Sequence, residues 1–185
     1  MERRILYLYI KGSDYEEIIA FLKMYDKVFF KNIDNNILIA QTDNDFTMSD
    51  FYKLREFILE DLLIDFVGLY VPKGFTMDLQ DLKLGFESVN FGTYDISNFI
   101  TEVCLEKENI LQKRLKSYYY NLVGIDNINT VISFIENNFN ASLTSKKLFL
   151  HRNTLNYRLE NFTLKTEMDI KKFQTGLAIY LLFKR

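Results

Sequence analysis

Cysteine and histidine are nearly missing from this sequence. The single cysteine, Cys104, cannot close an internal disulfide, so nothing calls for an oxidising compartment. It reads as a small core residue. Tetrahedral zinc takes about four Cys, His or acidic ligands, and one Cys with one His excludes a structural site of that kind. Pro72 is the only proline and glycine occurs seven times, which rules out proline-rich or glycine-rich linkers. No apolar run approaches the roughly 18 residues of a membrane span. Met1-Glu2-Arg3-Arg4 followed by Ile5 to Ile10 mimics a signal peptide, but it is too short and Lys11-Gly12-Ser13-Asp14 follows directly. The expectation is a soluble cytoplasmic protein with no membrane partner and no cofactor.

What is present is ordinary globular material, 48% hydrophobic and 26% charged. The 185 residues have room for one sizeable domain or two small ones. The aromatic share of 16%, all Phe and Tyr, points to Phe-rich cores. The net charge of −2 hides an asymmetry. From Asn129 onward nine Lys and Arg stand against four acids, giving +5, whereas residues 1–128 hold 14 basic and 21 acidic residues, giving −7. A basic module joined to an acidic one suggests that the C-terminal part meets a polyanion.

In the N-terminal half, Ile5 to Ile10 is β-branched and aromatic and reads as a strand. Ser13-Asp14-Tyr15-Glu16 has the pattern of a capping box and opens a helix with Ile18, Ile19, Leu22 and Tyr25 on one face. Val28-Phe29-Phe30 and Ile37 to Ala40 flank Asp34-Asn35-Asn36, residues that tolerate the positive φ of a hairpin turn. Phe51, Leu54, Ile58 and Leu62 mark a second helix. Phe66 to Val71 is a fourth strand, closed by Pro72-Lys73-Gly74, and Leu79, Leu82, Phe86 and Val89 mark a third amphipathic stretch. The order β-α-β-β-α-β is that of a ferredoxin-like unit, with four antiparallel strands and two helices on one face. Many activities share that architecture. Nucleotide cyclases of the GGDEF type look similar, but they need acidic metal ligands near the first strand and a Gly-Gly-acid-Glu-Phe hairpin. Here the hairpin reads Asn32-Ile33-Asp34-Asn35-Asn36 and the first strand offers Tyr7 and Tyr9. The paired acids that hold Mg²⁺ are missing, so the domain is expected to be non-catalytic.

After Tyr94 the strand signal disappears. Ile96 to Leu105 and Asn109 to Leu122 read as helices ending near Gly124. Asp126 or Asn127 is expected to cap a helix with Ile128, Val131, Ile132, Ile135 and Phe139 on one face, closed by Asn137-Asn138-Phe139-Asn140. Ser142 can cap a short helix through Phe149. Asn153 to Leu164 buries Leu155, Leu159 and Phe162, and Asp169 caps a last helix with Met168 and Phe173 as a hydrophobic staple. Two short helices around a four-residue turn, roughly Leu150 to Asn153, form a helix-turn-helix pattern. The polar face of its second helix carries Asn153, Tyr157 and Glu160 with Asn156 at the flank and Arg152 at the tip. Base edges are contacted from that end when such a helix enters the major groove. Asn bonds adenine, Arg bonds guanine, and Lys and helix N-termini bind phosphate.

The literal string adds to this. Asn140-Ala141-Ser142, then Leu148-Phe149-Leu150-His151-Arg152-Asn153-Thr154-Leu155-Asn156-Tyr157-Arg158-Leu159, closely resembles the C-terminal helix-turn-helix of PucR/CdaR-type bacterial regulators. The likeness covers roughly residues 115–185 and implies DNA-binding transcriptional regulation. That family's GGDEF-like middle domain is similar to the N-terminal reading. Ser145 stands where the family usually has Ala, and Glu167 replaces the usual Gly after Thr166, so the recognition helix is expected to end differently. Glu160 points toward the phosphate surface. Typical members carry a long N-terminal sensory domain that these residues do not supply, so a small-molecule effector stays an open expectation.

The expected protein is α+β: a ferredoxin-like, GGDEF-like domain over 1–92, connecting helices over 93–124, and an all-α helix-turn-helix domain over 125–185. The expected function is sequence-specific binding of double-stranded DNA by a transcriptional regulator, not an enzyme, acting as a homodimer because one short recognition helix covers few base pairs. The candidate DNA-binding residues are Ser142, Lys146, His151, Arg152, Asn153, Thr154, Asn156, Tyr157 and Arg158. His151 is favoured as a phosphate contact at the start of the recognition helix. Arg158 divides evenly between a structural ion pair and a phosphate contact, and Lys146 and Lys147 between phosphate contacts and a solvated face. Tyr118-Tyr119-Tyr120 reads as packing between helices. The alternative is an interaction protein whose helix-turn-helix no longer binds DNA.

Overall fold

The computed structural model describes residues 4–12, 15–72, 74–105 and 110–184. Several sequence features lie outside the described residues: Met1-Glu2-Arg3, Ser13-Asp14 of the first capping box, Lys73, Asn109 and Arg185. The chain divides into two compact units, Met1–Phe99 and Ile100–Arg185. It is a mixed α+β sheet structure followed by a helical C-terminal part. Among the described residues no helix is long and apolar enough to cross a membrane.

The first unit is built on a sheet of β1 (Ile5–Tyr9), β2 (Val28–Asp34), β3 (Ile37–Thr42), β4 (Val67–Val71) and β5 (Gly92–Asp95), in the order β2-β3-β1-β4-β5. β2 and β3 form the expected hairpin. Its two turn residues, Asn35 and Asn36, both take left-handed φ values of 51° and 62°, the combination a two-residue hairpin needs to match strand twist. β1 pairs antiparallel with both β3 and β4, with Leu8 opposite Leu38 and Gly68.

Alternation along these strands sends Leu6, Leu8, Leu38, Ala40, Phe66 and Tyr70 to one face. There they pack with Ile18 and Leu22 of α1 (Tyr15–Met24) and with Phe51, Leu54 and Ile58 of α2 (Met48–Leu62). Thr47 and Asp50 close a capping box at the start of α2, which pulls the Asp50 carboxyl below its ordinary pKa. On the other face the ring of Tyr9 stacks on Phe86 of α3 (Leu79–Ser88) at 5.9 Å.

The fifth strand was not anticipated. β5 runs parallel to β4, Val67 opposite Gly92, and turns a four-stranded antiparallel expectation into a mixed sheet. Its four residues, Gly-Thr-Tyr-Asp, have little intrinsic strand propensity at either end. Only the open edge of β4 makes them a strand.

The boundary between the units falls inside α4 (Ile96–Leu105). The second unit continues with α5 (Ile110–Val123), α6 (Ile125–Glu136), α7 (Ala141–Lys147), α8 (Arg152–Thr166) and α9 (Phe173–Lys184). Its core joins Leu111, Leu115 and Tyr119 of α5, Ile128, Val131 and Ile132 of α6, Leu155, Leu159 and Phe162 of α8, and Ile179 and Leu182 of α9. Of the three tyrosines, Tyr119 and Tyr120 pack away from their own helix, while half-buried Tyr118 meets Tyr119 edge-on at 5.2 Å. Tyr119 is buried and donates to Met168 Sδ at 3.3 Å, its pKa pushed up by burial, and Tyr120 meets Phe183 edge-on at 5.0 Å.

Several helix starts differ from the sequence reading. α6 is capped by neither Asp126 nor Asn127. Its N-cap is Gly124, whose φ of 87° makes the sharp break from α5. α7 is capped by Asn140, whose side chain accepts from the Leu143 amide at 3.0 Å, and Ser142 lies inside the helix. Asp169 accepts from the Lys171 amide in a turn that precedes α9. Met168 is buried while Phe173 is 68% exposed, so the two form no staple.

Candidate nucleic-acid interface

The helix-turn-helix is α7, a turn over Leu148–His151, and α8. The turn lies two residues earlier than the sequence suggested, because Arg152 and Asn153 already belong to α8. Its geometry is a Schellman closure: the Leu150 amide donates to the Ser145 carbonyl at 2.9 Å and the Phe149 amide to the Lys146 carbonyl at 3.2 Å. The residue that such a closure holds left-handed is usually glycine. Here it is Phe149, with φ 53° and 96% of its surface exposed.

α8 is fixed from three directions. Leu155, Leu159, Phe162 and Thr166 follow at i, i+4, i+7 and i+11 and bury one face, as the apolar stripe required. At the start, His151 is the N-cap, its Nδ1 accepting from the Asn153 amide at 3.2 Å. An accepting Nδ1 leaves the ring proton on Nε2, which therefore serves as a donor. At the end, Glu167 takes the left-handed C-cap conformation, φ 54° and ψ 17°. The helix thus closes in the conformation glycine would take, contrary to expectation, with the strain carried by a residue that has a Cβ.

Arg158 crosses from α8 to α6. Its Nη1 donates to Thr130 Oγ1 at 3.1 Å and its Nη2 lies 3.5 Å from Asp126 Oδ2. Thr130 is 1% exposed and donates in turn to the Asp126 carbonyl at 2.7 Å. Of the two readings left open for Arg158, the structure shows the contacts of the structural one, which tie α8 to α6. Lys165 at the other end donates to the Leu122 carbonyl at 2.9 Å, satisfying an open C-terminal acceptor of α5.

The remaining candidates share the outer surface of this motif. Arg152, Asn153 and Thr154 are exposed in the first turn of α8, Tyr157 is 67% exposed one turn on, and Asn156 is half-buried beside them. Ser142 and Lys146 are exposed on α7, as is Lys147. Glu160 is exposed on the same side of α8 as Asn153 and Tyr157. The arrangement offers flat amide and guanidinium donors at a helix N-terminus whose own free amides carry partial positive charge. It holds no nucleophile–base pair. The sequence reading missed the cap formed by His151 and the left-handed Phe149, and left the anchoring of Arg158 as one of two readings. For the cap of α7, Asn140, three residues before Leu143, carried a signal the sequence reading passed over for Ser142.

This geometry places the second unit in the class of helix-turn-helix domains. More particularly, residues 128–184 match the PucR C-terminal helix-turn-helix domain. The uncharacterized protein YxkF of Bacillus subtilis is 47% identical over 53 residues, covering 29% of this chain and 18% of its own length. The DNA-binding transcriptional activator AdeR of Bacillus subtilis is 28% identical over 181 residues, covering 83% of this chain and 43% of AdeR. The chain thus spans less than half the length of these curated relatives. A regulator of polyketide synthase expression from Bifidobacterium adolescentis aligns over 98% of this chain and 80% of its own, with a TM-score of 0.46 and 17% identity.

Proposed function

We propose that the chain is a sequence-specific transcriptional regulator that binds double-stranded DNA by seating the N-terminal half of α8 in the major groove. The observation that carries this reading is the exposed Arg152-Asn153-Thr154 turn, held in place by the His151 cap and the Arg158 anchor, within the segment that matches a PucR helix-turn-helix. Asn153, Asn156 and Arg152 supply base-edge donors and acceptors, and Tyr157 extends along the same face. Ser142, Lys146, the Nε2 of His151 and the free amides of α8 meet phosphate. The +5 charge carried from Asn129 onward supports this assignment.

The first unit we read as a non-catalytic domain of ferredoxin-like, GGDEF-like type. The strand order β2-β3-β1-β4 and its antiparallel pairings support that reading, with β5 as an addition. The protein acts in the cytoplasm as a homodimer, with a small-molecule effector as a further partner and no enzymatic step.

The test is enrichment of bound duplexes from a random pool, followed by anisotropy titration over a salt series. One enriched motif is expected, with log K falling steeply against log salt. Arg152→Ala should flatten that slope by about 0.9 if its guanidinium neutralises one phosphate, or relax selection at one base pair if it reads guanine. Asn153→Ala should relax selection at an A·T pair. Failure to enrich any sequence at low salt would sink the regulator reading and leave an interaction protein, in which Glu160 on the reading face repels phosphate.

A further inference from the structure

Phe149 occupies the turn between α7 and α8 in a way that two local rules disfavour. Its φ of 53° lies in the left-handed region that a Cβ opposes, and nearly the whole side chain is exposed. Neither is offset within the fold. The apolar contact that accompanies a Schellman closure falls to the following residue, here half-buried Leu150. Leu148 on the other side is half-buried as well. Packing thus accounts for both leucines but not for the ring between them. A single exposed aromatic needs no explanation; one held in strained backbone between two packed leucines does. The charges around the ring are of one sign. Lys146, Lys147 and Arg152 are exposed, and no acid occurs between Asn140 and Leu159. Four residues of chain reach at most about 14 Å, so the ring is attached within that distance of Asn153 and closer still to the His151 cap.

We propose that Phe149 determines specificity by laying its ring on the C5 methyl of a thymine in the major groove. That thymine lies within about four base pairs of the pair read by Asn153, at about 3.4 Å per step. The contact rests on the DNA-binding reading of α8 given above and adds to it a residue from outside the helix. The turn leads directly into the end of α8 that enters the groove in that reading. The thymine methyl is the apolar group that the major groove presents, and Phe is among the side chains that meet it. The surrounding cations suit the phosphates that border the groove. A second copy of the chain would bring these cations against one another, and a purely apolar partner would leave them unpaired. Duplex DNA supplies both the negative charge and the methyl within a few ångströms. Docking takes out of water the ring surface that the free protein exposes. Because the ring is uncharged, it contributes selectivity without adding to the salt dependence of binding.

Anisotropy titrations of the full chain on its enriched duplex test this, with each thymine replaced in turn by deoxyuridine to delete one methyl. At one position, within about four base pairs of the pair where Asn153→Ala relaxes selection, wild-type affinity should fall about fourfold. Phe149→Gly and Phe149→Asn should each weaken binding to the unmodified duplex by about fourfold to tenfold. Both variants should be indifferent to that deoxyuridine, and their slope of log K against log salt should equal the wild-type slope. Gly and Asn both tolerate left-handed backbone, so the fold is retained. Calorimetry should show Phe149→Gly melting no lower than wild type while it binds more weakly. Leu164→Ala, at an exposed position near the far end of α8, should bind as wild type. Phe149 variants that bind like wild type overturn the proposal and leave the regulator reading standing. So does weakened binding with the deoxyuridine penalty unchanged, which puts the ring on deoxyribose instead. A wild-type chain that enriches no duplex removes the reading on which the contact rests, and the contact with it.

Discussion

Replacing Arg158 by alanine separates a residue that positions the recognition helix from one that touches DNA. The guanidinium makes a charge-assisted hydrogen bond to Thr130 Oγ1 at 3.1 Å, in a setting where the arginine side chain is only 25% exposed. Such bonds contribute about 1.5–3 kcal/mol. Thr130 keeps its own bond to the Asp126 carbonyl, so no buried hydroxyl is orphaned and the lower part of that range applies. The second partner, Asp126, is 80% exposed at 3.5 Å and adds well under 1 kcal/mol. The sum is about 2 kcal/mol. In a unit of this size that lowers the melting temperature of the helical part by about 8–16 °C. Differential scanning calorimetry gives the shift, and anisotropy over a salt series gives the functional half. Arg158→Ala should weaken DNA binding with an unchanged slope of log K against log salt. A phosphate contact would instead reduce that slope by about 0.9. A variant with wild-type melting and a flattened slope refutes the assignment.

Further expectations concern strain, packing and pH. Phe149→Gly and Glu167→Gly each replace a left-handed residue that has a Cβ, a conformation worth about 1–2 kcal/mol of strain, by one that takes it freely. Less the added freedom of glycine in the unfolded chain, each should stabilise the helical unit by about 0.5–1 kcal/mol; a lower melting temperature in either would contradict the argument. Gly68→Ala should destabilise the first unit by about 1–3 kcal/mol. The added Cβ would lie 2.5 Å from Phe51 and 2.8 Å from Phe66, both fully buried, and urea unfolding measures the loss. Thr47→Ala removes the capping box of α2 and should lower stability by about 1 kcal/mol. Because the Asp50 carboxyl has its pKa lowered by Thr47, its contribution is complete above the unfolded carboxylate pKa of about 3.9 and is lost as pH falls through the lower folded value. The gap between wild type and Thr47→Ala should therefore narrow below about pH 4; a gap that widens with acid would show the sign to be wrong.

Much of the local structure was legible because local rules governed it. Alternation in Ile5–Tyr9 and Ile37–Thr42, the two asparagines at the hairpin, and the Leu155-Leu159-Phe162 stripe depend on neighbours within a few residues. The string around His151 to Leu159 pointed to the motif and its exposed tip in the same way. Residues whose roles depend on distant partners were misread or left undecided. Ser142, Asp126, Asn127 and Asp169 all carry side chains suited to caps, yet Asn140 and Gly124 took the cap positions of α7 and α6. In Gly-Thr-Tyr-Asp only the two central residues favour a strand; the free edge of β4 makes it one.

By itself, then, the sequence determined most of the helices and the first four strands, which faces are apolar, and which stretch carries a helix-turn-helix. Periodicity, turn chemistry and charge are properties of short windows. The tertiary structure alone decided that Arg158 anchors α8 to α6, 28 residues away in sequence. It also decided that Phe173 and Tyr180 border an open groove. Each of these depends on which surfaces the folded chain brings together, and burial and hydrogen-bond partners across long separations exist only once that packing has formed.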